Sequence, residues 1–191
     1  MGLGTLLGLG LGALSRLGAG KVPAPALLRP PGSRGEDHFL AACLRCGQCV
    51  QACPYGTLKL ASEEAGISAG TPYLEPREIP CYLCRDHDSL LCIDACPSSA
   101  LRPVEDITAV RMGTAAIDTA RCLAYNGVPC RTCWHACPLS GTVIHHDALL
   151  RPVVDPEHCI GCGLCDHACL TEPSSIPIVP VPSARRALRT G

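Results

Sequence analysis

Short segments of two or three mainly apolar residues flank the cysteine-rich parts of the chain, and the residues between them are rich in glycine, proline and polar side chains. Ala116-Ile117 precedes Asp118, and Val153-Val154 precedes Asp155, each just ahead of a group of cysteines. The segments that follow the cysteines are Thr57-Leu58, Ala100-Leu101, Thr142-Val143 and Ser175-Ile176. Such segments are typical of short β-strands. The pattern therefore predicts short strands before and after the cysteines, the second ones closing hairpins.

The first residues form a different and longer apolar segment. Residues 3–17 are Leu, Gly and Ala, interrupted only by Thr5, Ser15 and Arg16. This segment is short for a membrane span and suits the apolar region of a secretory signal, with Ala24-Pro25-Ala26 as a small-x-small cleavage site. Because no Lys or Arg precedes Arg16, we expect either that the given start lies inside a longer signal or that the segment is a buried or interfacial glycine-rich helix.

The composition indicates a folded chain whose core has few aromatic residues. Of the 191 residues, 47% are hydrophobic, but only one is Phe, one is Trp and four are Tyr. Sixteen Cys, eighteen Pro and nineteen Gly are typical of a chain that is rich in turns and pinned by cross-links or metals. The formal net charge of −1 gives no indication of nucleic-acid binding.

The sixteen cysteines fall into four groups of four, which we call motifs 1 to 4. They are Cys43, Cys46, Cys49 and Cys53 (motif 1); Cys81, Cys84, Cys92 and Cys96 (motif 2); Cys122, Cys130, Cys133 and Cys137 (motif 3); and Cys159, Cys162, Cys165 and Cys169 (motif 4). Motifs 1 and 4 have the compact spacing of bacterial [4Fe–4S] ferredoxins, with two, two and three intervening residues. Motif 2 has seven residues in its middle gap, and motif 3 has seven in its first. Proline follows the last Cys of motifs 1 to 3, whereas Leu170 follows Cys169.

The repeated spacing distinguishes between three kinds of cysteine chemistry. Disulfide frameworks are usual in shorter secreted chains and impose no repeated motif of four cysteines. Structural zinc sites typically join two close pairs of ligands across a longer loop, often with His. We therefore expect all sixteen cysteines to be iron ligands of four [4Fe–4S] clusters, with a zinc-stabilised interaction protein as the remote alternative. No catalytic triad, phosphate-binding loop or dinucleotide fingerprint is visible.

The spacing within a motif also predicts how the chain surrounds the clusters. Three thiolates on a tight loop can surround one cluster only where the backbone curls, which suits Gly47, Gly161 and Gly163. The fourth Cys lies about one helical turn beyond the third, so it points away from the loop toward a partner cluster. We therefore predict a loop-rich α+β fold of two fused bacterial 2[4Fe–4S] ferredoxin-like modules, with short β-hairpins and short helices. The similar distances between motifs leave open which motifs pair.

Several longer segments are more specific than ferredoxin spacing. They cover residues 28–32, 39–43, 54–61, 70–73, 76–84, 122–125 and 153–165. With these segments, the chain from about Leu28 to Val181 resembles the NapG/MauN family of ferredoxin-type proteins, the iron–sulfur components of a quinol dehydrogenase associated with periplasmic nitrate reduction. The absence of Pro after Cys169 is also similar to the family. The broader relatives are iron–sulfur subunits of molybdoenzymes.

The resemblance implies an electron carrier without catalytic residues of its own. Its donor would be a membrane quinol-oxidising iron–sulfur protein of the NapH type, and its acceptor a periplasmic reductase such as nitrate reductase; neither nucleic acid nor a small-molecule substrate is implied. In the related four-cluster subunits, motif 1 pairs with motif 4 and motif 2 with motif 3. The implied ligand sets are Cys43/Cys46/Cys49/Cys169, Cys159/Cys162/Cys165/Cys53, Cys81/Cys84/Cys92/Cys137 and Cys122/Cys130/Cys133/Cys96.

The expected organisation has three parts: a signal-like segment (1–26), a four-cluster domain (27–182) and a basic C-terminal tail (183–191). Family members are typically exported in folded form by the twin-arginine route. We therefore expect a periplasmic protein that associates with the membrane through its partner, although the given sequence has no twin arginine. The alternative function is that of an iron–sulfur subunit in another redox complex, either for methylamine utilisation or in a molybdoenzyme.

Overall fold

The computed structural model describes residues 26–180, which form short elements joined by turns. The α-helices are α1 (Glu36–Ala42), α2 (Gln48–Ala52), α3 (Leu91–Asp94), α4 (Thr132–Ala136) and α5 (Leu164–Ala168). The strands are β1 (Leu58–Leu60), β2 (Pro72–Leu74), β3 (Gly113–Ala115), β4 (Ile144–His146), β5 (Pro152–Val154) and β6 (Ile178–Pro180). Short 3-10 helices lie at Glu63–Ser68, Ile107–Ala109 and Leu123–Asn126. Elements this short are marginal alone in water, so packing and cross-linking must stabilise them.

The strands of residues 26–180 form three separate two-stranded antiparallel sheets. Strand β1 pairs with β2, with Leu58 opposite Leu74, and this pair lies between motifs 1 and 2. Strand β4 pairs with β5, with Ile144 opposite Val154, and this pair lies between motifs 3 and 4. The chain therefore turns back between motifs 1 and 2, and again between motifs 3 and 4.

The same arrangement occurs in both halves of the described chain. In the second half, β3 precedes motif 3 and pairs with β6, which follows motif 4. In the first half, Ser33 forms a β-bridge with Leu101, and the Arg102 N–H donates to the Gly32 carbonyl at 3.0 Å. Each half thus joins the segment before its first motif to the segment after its second. The predicted fold class, with two ferredoxin-like modules of short hairpins and helices, is confirmed.

Individual strands differ slightly from their predicted positions. Strand β5 includes the predicted Val153-Val154, but β3 ends just before the predicted Ala116. The backbone pairing nevertheless continues, because the Ala116 N–H donates to Pro177 O at 3.0 Å and the Asp118 N–H donates to Ser175 O at 2.8 Å. The predicted segments therefore lie at the ends of the observed ladders.

Helices α2 to α5 each contain the third Cys of a motif. The fourth Cys is the first extended residue after α2, α4 and α5, and it lies two residues beyond α3. The predicted helical turn between the third and fourth Cys is therefore confirmed. Gly47 and Gly163 precede α2 and α5 with φ angles of 73° and 80°, a conformation that favours glycine.

The two halves pack directly against each other. Ile160 and Cys162 from motif 4 belong to the same buried cluster as Phe39 and Val110. Beside Cys162, Gly161 approaches the backbone of Gly113 in β3 of the same half so closely that a Cβ on Gly161 would lie 2.3 Å from the Gly113 nitrogen. This approach therefore requires glycine at position 161.

The predicted signal-like segment and the basic tail lie outside the described residues, apart from Ala26. Among residues 26–180, no helix combines the length and the hydropathy that crossing a membrane requires.

Candidate iron–sulfur centres

Three cavities in the described chain are each lined by four cysteines. Site B has Cys53, Cys81, Cys84 and Cys92; site C has Cys137, Cys159, Cys162 and Cys165; and site D has Cys122, Cys130, Cys133 and Cys169. With the open space at their mouths, their volumes are similar, about 340, 320 and 370 Å³. Similar size and identical donor atoms indicate three sites of the same kind.

The remaining four cysteines also lie together, and we call them site A: Cys43, Cys46, Cys49 and Cys96. Burial, together with the neighbouring charges of Cys43, Cys96 and Cys46, raises the pKa of the Cys49 thiol to about 11. Cys49 is buried, whereas Cys46 is exposed to solvent. Among the sixteen cysteines, Cys46 is the one that is exposed, so site A has the most exposed ligand residue.

The grouping corrects the pairing that the resemblance implied. Cys53 lies with Cys81, Cys84 and Cys92 of motif 2, and not with motif 4. Cys169 lies with motif 3, and not with motif 1. Motif 1 thus exchanges its last Cys with motif 2, and motif 3 with motif 4. The cause is local: β1–β2 and β4–β5 turn the chain back between consecutive motifs and bring those motifs together.

Left-handed backbone conformations curl the loops around the sites. Leu83 and Cys84 have φ angles of 56° and 48°, and Arg45 has one of 56°. Such angles are uncommon for residues other than glycine and need support from their surroundings. For Arg45 the support is visible, because its guanidinium donates to the carbonyls of Ala69 and Ile67 at 2.9 and 3.1 Å.

Burial raises the pKa of several thiols in sites B and C. Burial raises the pKa of Cys81 to about 12 and that of Cys162 to about 11. It also raises the pKa values of Cys92 and Cys165, to which neighbouring thiolates add. A buried thiolate therefore needs a positive partner, and a bound metal centre supplies one because a coordinating thiol is deprotonated.

Cys169 in site D behaves differently. Burial alone would raise its pKa, but hydrogen bonds from the Ser175 and Thr171 hydroxyls outweigh burial and lower the pKa to about 6. The two hydroxyl oxygens lie 3.3 and 3.2 Å from the Cys169 sulfur, and the Ser175 N–H donates to it at 3.4 Å.

The four sites are arranged so that each adjoins the next. Cys49 of site A lies close enough to Cys92 of site B for its charge to raise the pKa of Cys92. The Cys81 N–H of site B donates to the Cys162 carbonyl of site C at 2.9 Å. Cys133 of site D likewise lies close enough to Cys165 of site C for its charge to raise the pKa of Cys165. The order is therefore A, B, C and D, with the junction between the halves at its centre.

The donor sets fit a polynuclear centre better than a single ion. Among residues 26–180, no three His, Cys, Asp or Glu side chains are close enough to hold one metal ion. Four cysteines around one cavity are instead the usual ligands of a [4Fe–4S] cluster. The residues present at sites B, C and D therefore fit such a cluster.

Arg77 holds the loop after Cys169, a role that the cysteine pattern does not reveal. Its guanidinium donates to the carbonyls of Asp166, Cys169 and Thr171 at 2.8, 2.9 and 3.0 Å, and it forms an ion pair with Glu172 at 2.7 Å. Arg77 thereby fixes the end of α5 and the loop after Cys169 from the first half of the chain. Ser175 and Thr171 were likewise not singled out as sulfur contacts, because only the folded loop brings them to Cys169.

Comparison with known families agrees with the grouping. A 4Fe-4S dicluster domain matches residues 42–100, which contain motifs 1 and 2, and a 4Fe-4S binding domain matches residues 156–172. A dicluster domain over two consecutive motifs is what exchange of the last Cys between motifs 1 and 2 requires.

Three curated proteins are similar over most of the chain. "Ferredoxin-type protein NapG" of Escherichia coli (strain K12) is 43% identical, over 84% of this chain and 74% of its own. "Methylamine utilization ferredoxin-type protein MauM" of Paracoccus denitrificans is 41% identical, over 94% of this chain and 82% of its own. "Ferredoxin-type protein NapG" of Haemophilus influenzae is 43% identical, over 98% of this chain and 68% of its own.

Proposed function

The chain belongs to the NapG and MauM family of ferredoxin-type electron carriers, and on that premise we propose that it holds four [4Fe–4S] clusters in a relay between two redox partners. The donor is a membrane quinol-oxidising iron–sulfur protein of the NapH type. The acceptor is a periplasmic reductase such as nitrate reductase. The cavities lined by four cysteines carry this proposal.

The proposed ligands are all sixteen cysteines, four at each of sites A to D. Each site takes three cysteines from one motif and the last Cys from the neighbouring motif. When bound, the clusters supply one-electron redox chemistry at potentials that depend on charge, burial and hydrogen bonding. The chain itself binds the clusters, excludes water from the buried sulfurs and keeps neighbouring sites adjacent.

The proposed domain boundaries are those expected from the sequence, and the adjacency of sites A to D supports the central one. Residues 27–182 form the four-cluster domain, with one module carrying sites A and B and the other carrying sites C and D. Residues 1–26 are the signal-like segment, and residues 183–191 the basic tail. The protein acts in the periplasm after twin-arginine export, and it reaches the membrane through its quinol-oxidising partner.

A second candidate function is supported by the MauM relatives. The Paracoccus denitrificans MauM is nearly as similar as the NapG proteins and matches a larger share of both chains than the Escherichia coli protein does. In this alternative, the same relay serves methylamine utilisation. The two candidates share the cluster chemistry and differ only in the partners.

Metal analysis of anaerobically purified protein tests the cofactor proposal. Four clusters require about sixteen iron and about sixteen sulfide per chain, in brown protein with iron–sulfur absorption. Colourless protein containing zinc would contradict the proposal.

Reduction assays distinguish the two sets of partners. Membranes that contain a NapH-type protein and a quinol should reduce the purified holoprotein, and the reduced protein should then be reoxidised by nitrate reductase. Membranes without the NapH-type protein serve as the control. Reduction by a methylamine-oxidising system alone would instead support the MauM-like alternative.

A further inference from the structure

The loop after the last Cys of motif 4 differs from the corresponding loops of the other motifs. Proline follows Cys53, Cys96 and Cys137, whereas Leu170 follows Cys169. The chain then turns back over Cys169 and brings Thr171 and Ser175 to its sulfur at 3.2 and 3.3 Å. The Ser175 N–H adds a contact at 3.4 Å, and Ser175 is only 3% exposed. We call residues 170–175 the Cys169 loop.

Hydroxyl contacts to cysteine sulfurs are concentrated at site D. Thr132 lies 3.6 Å from Cys130, so two ligands of site D are contacted by hydroxyls. Elsewhere within residues 26–180, the one such contact is that of Ser98 with Cys96 in site A, at 3.8 Å. Backbone N–H groups reach sulfurs in other sites as well, for example Ala115 to Cys159 in site C at 3.4 Å. The short hydroxyl contacts are therefore the feature that distinguishes site D.

Hydrogen bonds to a ligand sulfur change the reduction potential in a known direction. The reduced cluster carries one more negative charge than the oxidised cluster, so donors aimed at the sulfur stabilise the reduced form more strongly. This raises the reduction potential. A thiolate ligated to iron has no proton to donate, so the hydroxyls of Thr171 and Ser175 must be the donors.

We propose that Thr171 and Ser175 give site D the highest reduction potential of the four sites, so that site D is where electrons leave the chain. This inference rests on the proposed four-cluster relay. Site D is at one end of the order A, B, C and D, and Leu170, which lines its cavity, is 69% exposed. Electrons therefore enter at site A, beside the exposed Cys46, and collect at the opposite end.

The contacts are held in place from outside the loop. Arg77 donates to the Thr171 carbonyl at 3.0 Å and to the Cys169 carbonyl at 2.9 Å. Both ends of the short segment that carries the Thr171 hydroxyl are thus held by Arg77. Thr171 and Ser175 are positioning residues, because they act on the cluster through Cys169.

A redox titration followed by EPR spectroscopy, on the full-length holoprotein, tests the proposal. Ser175→Ala and Thr171→Val should each move the highest of the four reduction steps to lower potential, and the double variant should move it further. The other three steps should stay where they are. Thr171→Ser keeps the hydroxyl and should retain the wild-type potential, which separates hydrogen bonding from packing.

Ser98→Ala is the matched control, because Ser98 is two residues after Cys96 as Thr171 is two residues after Cys169. Its longer contact should give a smaller shift, in a different step. An unmoved highest step in both Ser175→Ala and the double variant, or an equal shift of all four steps, would overturn the proposal. A wild-type protein with fewer than four reduction steps would instead contradict the four-cluster function itself.

Discussion

Sites A and D occupy corresponding ends of the two halves, yet the surroundings of their sulfurs differ. At site A, Cys46 is exposed, and the neighbouring Leu44 is 66% exposed. At site D, Cys169 lies beneath Thr171 and Ser175, in a loop that Arg77 of the other half binds. The same cysteine exchange and the same hairpins occur in both halves. Spacing and hairpins thus place a site, whereas the loop after the last Cys determines what surrounds its sulfur.

Removal of the clusters should cause the largest loss of stability, because each half surrounds two cluster sites. The described elements are three to seven residues long, and few aromatic residues support them. For such a chain the binding of metal centres contributes directly to folding. Protein treated with a chelator and an oxidant under denaturant-free conditions should therefore lose its cooperative thermal transition in circular dichroism. An unchanged Tm would show that the packing of the halves suffices.

Gly161→Ala, next to Cys162 of site C, should cause the next largest loss of stability. The added Cβ would lie 2.3 Å from the Gly113 nitrogen, and Gly161 has a φ of 73°. Overpacking of this kind costs roughly 1–3 kcal/mol, to which the left-handed conformation adds about 1–2 kcal/mol. Chemical denaturation of the holoprotein measures the loss.

Gly127→Ala is the control for backbone conformation alone. Gly127 has a φ of 80°, but a Cβ there would meet no atom within 4 Å. It should lose only about 1–2 kcal/mol, the cost of a left-handed residue. Equal losses in the two variants would mean that the close approach of Gly161 to Gly113 contributes nothing to stability.

The cysteine spacing was sufficient to predict much of the architecture. The helical turn before the fourth Cys depends on residues within a few positions of each other, and the repeated motifs with their short apolar flanks were sufficient to indicate two modules. The pairing of motifs was predicted incorrectly, because it depends on where the chain turns between motifs of similar separation. The pairs β1–β2 and β4–β5 decide it by bringing consecutive motifs together.

Arg77→Gln should have a moderate effect that is confined to the second half. It removes hydrogen bonds to the carbonyls of Asp166, Cys169 and Thr171. Net contributions of about 0.5–1.5 kcal/mol per hydrogen bond, partly replaced by water at this half-exposed site, predict a loss of about 1–2 kcal/mol. The site D reduction step should broaden or shift, while that of site A remains.

Glu172→Gln is the control for the ion pair. The Glu172 side chain is 79% exposed, and exposed ion pairs contribute about 0–1 kcal/mol. Its stability should therefore stay close to that of the wild type. A loss equal to that of Arg77→Gln would assign the role of Arg77 to its charge rather than to the carbonyl hydrogen bonds.

Arg45→Gln, in the first half, should cause the smallest loss of stability. Arg45 donates to the carbonyls of Ala69 and Ile67, but both hydrogen bonds are exposed to solvent. We expect a loss below about 1 kcal/mol, measured by denaturation, and a change in the site A step alone. A shift of the site D step would show that the two ends are not independent.

Contacts between residues that are far apart in the sequence could not be predicted from the sequence. Arg77 and its partners around Cys169 are far apart in the sequence, and nothing in their spacing indicates contact. Ser175 was predicted only as part of a strand-like segment. Its hydroxyl reaches Cys169 because the loop after that cysteine folds back over the sulfur.

EPR spectra of three holoprotein variants, Cys53→Ala, Cys84→Ala and Cys162→Ala, test the grouping of the cysteines most directly. If Cys53 serves site B, Cys53→Ala and Cys84→Ala should alter the same cluster signal, and Cys162→Ala should alter another. If Cys53→Ala instead alters the signal that Cys162→Ala alters, motif 1 exchanges its last Cys with motif 4, and the account is contradicted.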